Sequence, residues 1–258
     1  MNFFFSINSN DFKTTLTIPK FQNRNKNNFN CSLFSALIIN NKWIISQEDT
    51  KEDKNFFYVN KAHDNHKIYF LSNDQEIQEL KNSKKNQLLN LNLITDTDPA
   101  FRANLQIENL DGASSSYQLE YPFSMTTKKG RILSSVSMLL SNKAELNRIY
   151  FRNIFFKPVI EKFQIHIIDL KQKKLLITFD CKTNYTNEIN IDKKLITENS
   201  VFFSEKYLGI PIFFSSKNNH ISFEHTHPPH LYIMGREKFD ITKNLKDNFF
   251  NEIFKNNI

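Results

Sequence analysis

Short apolar runs separated by polar turns recur along this chain at intervals of about 8 to 12 residues. The pattern is clearest between residues 175 and 182, where every second position is apolar. The side chains that share one side of an extended chain there are those of Leu175, Ile177, Phe179 and Cys181. A period of two is typical of a β-strand with one buried face, because successive side chains point to opposite sides of a sheet. This segment is therefore predicted to be a strand.

The second half of the chain contains further apolar runs of strand length, with no helical pattern between them. The additional candidate strands are residues 164–169, 186–191, 201–205 and 210–215. Strands that follow one another without intervening helices favour antiparallel pairing over a parallel α/β sheet. The predicted fold class is therefore mainly β, an antiparallel β-sandwich of jelly-roll or immunoglobulin-like type.

The N-terminal part of the chain shows the same pattern of short apolar runs separated by polar turns. Its candidate strands are residues 14–18, 33–39, 42–46, 56–59 and 67–71. Asn40 and Asn41 separate two of these runs, and Asn tolerates the left-handed backbone that a two-residue hairpin turn requires. The sequence thus predicts an N-terminal β-rich unit over residues 1–98.

One segment of this first unit has a helical pattern. Ser72 and Gln75 are spaced as in a capping box, and a weak apolar stripe follows them. We predict a short helix over residues 73–89. The run Thr95 to Pro99 is typical of a turn or linker, so the boundary to a second unit, residues 99–258, is placed there.

Apolar residues recur at every fourth position close to the C-terminal end. They are Ile241, Leu245, Phe249 and Ile253. Such a stripe predicts an amphipathic helix, here over residues 240–256, with Asp240 as its N-cap. The expected fate of this helix is docking on the predicted sandwich, with binding to a partner or to a membrane surface as alternatives.

Composition limits the partners of the chain. Of its 258 residues 40% are hydrophobic and 26 are Phe, so a substantial core is available. Lys and Arg exceed Asp and Glu by 34 − 27 = +7, which favours an anionic partner. The basic residues are scattered over predicted turns, however, and form no single face. Nucleic acid is therefore an unlikely partner on sequence grounds, and an unknown ligand or a protein partner is expected instead.

The sequence also bears on the compartment. Only two cysteines occur, Cys31 and Cys181, which excludes a disulfide framework. Residues 1–8 lack a basic start and a continuous apolar stretch, so we expect no signal peptide. No run approaches the ~18 to 20 apolar residues that span a bilayer. These features predict a cytoplasmic protein without a transmembrane segment.

Histidine is concentrated in one place. His225, His227 and His230 place three of the seven histidines within a HxHxxH pattern. If the preceding strand continues, His225 and His227 lie on one face about 7 Å apart. The two prolines between His227 and His230 end the strand and bend the chain. Three imidazoles with an open fourth position suit a divalent metal, zinc or iron.

Two carboxylates acquire a role under this hypothesis. A bound metal would polarise a substrate oxygen or activate water, and Glu224 or Glu120 would be the catalytic proton carrier. The alternation places Glu224 on the face opposite His225. A histidine on an apolar face is also often a structural residue that binds a backbone carbonyl. Two hypotheses remain open: a β-sandwich binding or interaction protein, and a metal-dependent enzyme with a three-histidine site.

A second segment whose composition differs from the rest of the chain lies at residues 111–122. Asp111 and Gly112 form a turn signal, and the three serines Ser114 to Ser116 follow. These hydroxyls can bind an anion or a sugar, or one of them can be a nucleophile, but no GxSxG elbow surrounds them. The plain alternative is a turn leading into a strand at residues 117–121. No glycine pattern for nucleotide binding occurs elsewhere in the chain.

Overall fold

A computed structural model of the chain describes residues 2–20, 31–60, 65–82, 102–110, 112–226 and 231–255. The chain divides into two compact units. The first unit comprises Met1–Phe123 and Phe155–Ile160, and the second comprises Ser124–Ile154 and Glu161–Ile258.

The first unit consists mainly of antiparallel sheets. Its described elements are β1 (Asn2–Phe3), β2 (Phe12–Pro19), β3 (Ser32–Ile39), β4 (Lys42–Gln47), β5 (Lys51–Glu52), β6 (Phe56–Val59), β7 (Ile68–Ser72), α1 (Asp74–Asn82), β8 (Asn104–Asn109), β9 (Ser114–Gln118) and β10 (Tyr121–Pro122). Their order is β5-β6-β2-β8-β9 in a five-stranded sheet and β4-β3-β7 in a three-stranded sheet, with β1 paired to β10. The β3–β4 hairpin turns at Asn40 and Asn41, both with positive φ, as predicted.

The two units divide at a different place from the sequence-based boundary between residues 98 and 99. Strand β8 pairs with β2 along six residues, from Phe12 opposite Asn109 to Thr17 opposite Asn104. Strand β9 extends the same sheet. These long-range pairings hold the chain up to Phe123 in the first unit. The serines of residues 114–116 accordingly form strand β9 and not a turn.

The second unit contains two four-stranded antiparallel sheets in the part of the chain that is described. Its elements are β11 (Leu133–Ser135), β12 (Leu146–Arg152), β13 (Lys162–Asp169), β14 (Lys174–Lys182), β15 (Thr186–Asn190), β16 (Ser200–Ser204), β17 (Ile210–Lys217), β18 (His220–His225) and α2 (Leu231–Lys255). One sheet has the order β11-β16-β13-β14 and the other has the order β15-β12-β17-β18.

Aromatic side chains fill the space between these two sheets. Phe151 of β12 contacts Phe163 of β13 and Phe202 of β16, with ring centroids 5.9 and 5.5 Å apart. Phe202 also contacts Phe213 of β17 at 6.2 Å. All four rings are buried. Phenylalanines from alternate positions of both sheets thus interdigitate, which is how a sandwich core forms.

Strand β14 departs from the regular alternation that the sequence suggests. Ile167 of β13 is paired with Ile177, but the next residue, Ile168, is paired with Leu175, so Leu176 forms a bulge. A bulge of one residue transfers the following side chain to the other face of the sheet. Leu175 therefore packs with Ile168 on the face opposite the sandwich core.

Helix α2 covers that opposite face. Its buried Ile253 packs against Ile168, Val201 and Phe203, and three more phenylalanines of the helix join this cluster. The guanidinium of Arg131 bonds to Asp247 of α2 at 2.7 Å. The predicted docking in cis is thus present. The helix begins at Leu231 and not at residue 240, so Asp240 lies inside it and is not its N-cap.

Helix α1 starts where the sequence predicts, but a different residue caps it. The Asn73 side-chain oxygen accepts a hydrogen bond from the Glu76 backbone N–H at 2.8 Å. Ser72 instead donates to the Glu76 carboxylate at 2.9 Å. The described helix ends at Asn82, and the remainder of the predicted segment 73–89 lies outside the described residues.

The fold class is confirmed: the chain is mainly β, its sheets are antiparallel, and an amphipathic helix follows near the C-terminal end. None of the described helices is long and apolar enough to cross a bilayer. Cys31 belongs to the first unit and Cys181 to the second, and both are free thiols.

Candidate functional site

His225 ends strand β18 with its imidazole on a buried face. Its side chain is 8% exposed, and its Cα partner on β17 is the buried Ile212. Glu224 is exposed and pairs with Phe213, whose ring points into the sandwich core. The two side chains therefore lie on opposite faces of the sheet. Glu224 is not directed at His225.

The other two predicted ligands, His227 and His230, lie outside the described residues. Within the described ranges, no group of three His, Cys, Asp or Glu side chains is arranged to hold a metal ion. Thr226 follows His225, and its hydroxyl is hydrogen bonded to that of Ser134 on β11 at 2.9 Å. This bond joins the edge strands of the two sheets, so β18 is fixed up to the start of the histidine segment.

Glu120 lies in the first unit, between β9 and β10. One oxygen of its half-buried carboxylate accepts a hydrogen bond from the Ala103 backbone N–H at 3.2 Å. This contact attaches the loop to the residue before β8. Glu120 therefore has a structural contact, and the histidine strand belongs to the other unit.

A cavity of about 550 Å³ lies in the second unit, at the end of the sheet opposite His225. It is formed where β12 and β18 begin and where β15 and β17 end. We name it the lysine cleft, and its lining residues are Asn142, Lys143, Ala144, Glu145, Asn147, Ile191, Asp192, Lys193 and Lys217. Its size is in the range of ~300 to 1,000 Å³ that is usual for small-ligand sites.

Three lysines from three different segments line this cleft. Lys143 lies in the loop before β12, Lys193 follows β15, and Lys217 ends β17. All three side chains are exposed, and none forms an ion pair with another residue of the described ranges. Like charges that lie close together without forming ion pairs favour the binding of an anion.

The two carboxylates of the cleft are engaged with backbone groups. Asp192 accepts a hydrogen bond from the Lys194 N–H at 2.9 Å and caps a short 3₁₀ helix at Lys193–Leu195. Glu145 accepts one from the Asn218 N–H at 3.4 Å. Counting side chains, the cleft carries three positive and two negative charges.

A buried asparagine holds one wall of the cleft in place. The Asn147 oxygen accepts hydrogen bonds from the Ser141 N–H at 3.2 Å and from the Ser215 hydroxyl at 2.6 Å. The Asn147 amide group donates to the Ser141 carbonyl at 2.9 Å. Because Asn147 is only 4% exposed, these bonds are formed away from bulk water. They fix the start of the loop that carries Lys143.

Sequence reasoning did not identify this cleft. It noted only that basic residues are scattered over predicted turns, and it did not recognise β12, the strand that begins with Leu146 and carries Asn147. The signal that was available is the position of each lysine at a strand end or within three residues of one. Their convergence depends on the pairing of β12 with both β15 and β17, which the sequence alone does not reveal.

No family model, curated protein or solved structure matches this chain.

Proposed function

We propose that this chain is a binding protein that holds an anionic ligand in the lysine cleft. The observation that carries the proposal is that Lys143, Lys193 and Lys217 line one cavity of about 550 Å³. None of the three forms an ion pair with another described residue. Strand ends and loops on a rigid sandwich are a usual place for binding residues, because the scaffold fixes their positions.

The expected affinity is modest. Each exposed ammonium group contributes on the order of 0.2 to 1 kcal/mol to a contact with an anion, since water and salt screen the charge. Three such contacts together correspond to about a tenfold change in affinity. Binding through this cleft is therefore expected to weaken as ionic strength rises.

Isothermal titration with inorganic pyrophosphate as the probe tests this proposal. The test variant replaces Lys143, Lys193 and Lys217 with Gln, which keeps the length of each side chain and removes its charge. The control variant replaces three exposed lysines outside the cleft with Gln, namely Lys128, Lys171 and Lys174. It therefore has the same net charge as the test variant.

We expect the cleft variant to bind pyrophosphate about tenfold more weakly than the unmodified protein, and the control variant to bind nearly as well. Equal losses in both variants would mean that net charge alone attracts the anion. That result, or no binding to the unmodified protein at low salt, contradicts the proposal.

A metal-dependent enzyme with His225, His227 and His230 as ligands of zinc or iron is a second proposal. One observation favours it: His225 lies on the buried face at the very end of β18, where the alternation predicts a ligand. Elemental analysis of the purified protein beside His227→Ala and the control His220→Ala tests it. Stoichiometric metal that only His227→Ala loses supports this proposal, whereas absence of metal from the unmodified protein contradicts it.

A further inference from the structure

The five-stranded sheet of the first unit has one buried face and one polar face, on which most side chains are uncharged. Along β2, the buried side chains of Phe12, Thr14 and Leu16 alternate with more exposed ones. The exposed face of β2, β6, β8 and β9 carries Thr15, Thr17, Tyr58, Asn104, Gln106, Ser116 and Gln118. We name it the amide–hydroxyl face.

These side chains form two rows across the strands. In the first row, Thr15 is opposite Gln106, which is opposite Ser116. Adjacent strands are about 4.8 Å apart, so the polar groups of a row follow one another closely. Ser116 is the last of the three consecutive serines Ser114 to Ser116.

The second row is parallel to the first and lies two residues further along each strand. Thr17 is opposite both Tyr58 and Asn104, and Asn104 is opposite Gln118. The Tyr58 hydroxyl donates to Asp53 at 2.7 Å, which fixes the half-exposed ring at this end of the row. Tyr58 thus adds an aromatic surface beside the amides and hydroxyls.

The hydrogen-bonding capacity of these rows is largely unused. Within the described part of the chain, the side chains of Thr15, Gln106 and Ser116 form no hydrogen bond with protein groups, and neither do those of Thr17 and Asn104. Amides and hydroxyls each donate and accept. A ligand that itself carries many hydroxyl groups matches this chemistry better than an anion or a cation does.

A cavity of about 450 Å³ adjoins the first row. Thr15, Gln106 and Asn60 line it together with Asn8 and Ser9. These five residues come from four segments: β2, β8, the residue after β6, and the loop before β2, which carries both Asn8 and Ser9. The polar face therefore continues into a concave site and is not merely a flat, solvated sheet surface.

The cavity carries one positive and one negative side chain. Lys13 and Glu108 also line the cavity, and they are directly opposite each other on β2 and β8. Their charges cancel, so the site as a whole is neutral. We propose that the amide–hydroxyl face and its cavity bind a neutral carbohydrate chain. This inference goes beyond the proposed function, because it concerns the first unit and an uncharged ligand.

Native gel electrophoresis through gels that contain a soluble polysaccharide tests the inference. The neutral probes are dextran, hydroxyethyl cellulose, mannan and soluble starch, and dextran sulfate is the anionic probe. The test variant is Gln106→Met, which removes the amide at the centre of the first row and keeps the side-chain length. The matched control is Gln172→Met, an exposed position in the second unit.

We expect at least one neutral polysaccharide to retard the unmodified protein and Gln172→Met. Gln106→Met is expected to bind that polysaccharide about fivefold more weakly, because one hydrogen-bonding group is lost. Retardation by none of the neutral probes overturns the inference, as does equal retardation of both variants. Retardation by dextran sulfate alone also overturns it and leaves the anion proposal intact.

Discussion

At the scale of single residues, Gly209 has the most restrictive surroundings among Gly112, Gly130 and Gly209. A Cβ atom at this position would lie 2.4 Å from the ring of Phe151 and 2.5 Å from the carbonyl oxygen of Arg152. Both neighbours are fully buried and cannot move aside cheaply. Gly130 differs, because a Cβ there would lie 3.1 Å from the Leu208 side chain, which can rotate.

We predict that Gly209→Ala lowers the free energy of unfolding by about 3 kcal/mol and that Gly130→Ala lowers it by less than about 1 kcal/mol. Urea unfolding followed by circular dichroism measures both. Similar values for the two variants would show that the backbone around Gly209 relaxes.

His166 is the other residue with an unusual environment. Its ring is 1% exposed and lies against Phe254 and Phe250, with centroids 4.7 and 5.9 Å away. Nδ1 is bonded to the Thr178 hydroxyl at 2.9 Å. Burial is the main reason that the pKa of His166 falls from 6.5 to about 4. The folded protein therefore keeps this imidazole neutral down to a lower pH than the unfolded chain does.

This shift predicts a loss of stability on acidification. Between pH 6.5 and pH 4 the unfolded state takes up a proton that the folded state does not, so stability falls as the pH falls. The contribution of His166 is full above pH 6.5 and is reduced by about 2 kcal/mol at pH 5. We expect His166→Phe to lose less stability than the unmodified protein between pH 7 and pH 5. Urea unfolding of both proteins at pH 7 and at pH 5 measures this difference. If the two proteins lose the same free energy of unfolding between these pH values, His166 is not the source of the acid sensitivity.

At the scale of elements, the sequence predicts most strands well and the start of α2 poorly. Runs such as Ser32–Ile39 and Ile210–Lys217 are recognisable because strand period and turn residues agree. Helix α2 begins at Leu231, and the residue before it, His230, is not of a type that marks a helix start in sequence. The bulge at Leu176 was also not predictable, since the alternation continues through it.

Helix α2 is expected to be attached chiefly through Phe250. Its ring stacks on Phe203 at 5.8 Å and on Phe254 at 4.2 Å, and the Arg131 guanidinium lies 3.6 Å from its centre. Leu245, on the same helix, is 64% exposed.

We predict that Phe250→Ala lowers the free energy of unfolding by about 2 to 3 kcal/mol and speeds amide hydrogen exchange in α2. Leu245→Ala, the control, is expected to change stability by less than about 0.5 kcal/mol. If both variants exchange at the rate of the unmodified protein, the aromatic cluster does not hold the helix.

At the scale of the whole molecule, the features that the sequence did not predict are those that depend on pairing between strands far apart in the chain. The boundary expected after residue 98 differs from the division at Phe123 because β8 pairs with β2, whose residues lie 87 to 97 positions earlier in the chain. The histidine pattern was visible because its members are neighbours in sequence. The lysine cleft was not, because Lys143 and Lys217 meet only through the pairing of β12 with β17.

Pyrophosphate titration of the isotope-labelled protein, followed by amide chemical shifts, tests the central claim about the lysine cleft most directly. We expect saturable shifts concentrated at residues 142–145, 191–193 and 217–220, which weaken as salt is added. Shifts spread equally over exposed lysine segments such as residues 171–174, or no saturable shifts at the cleft, would contradict the account.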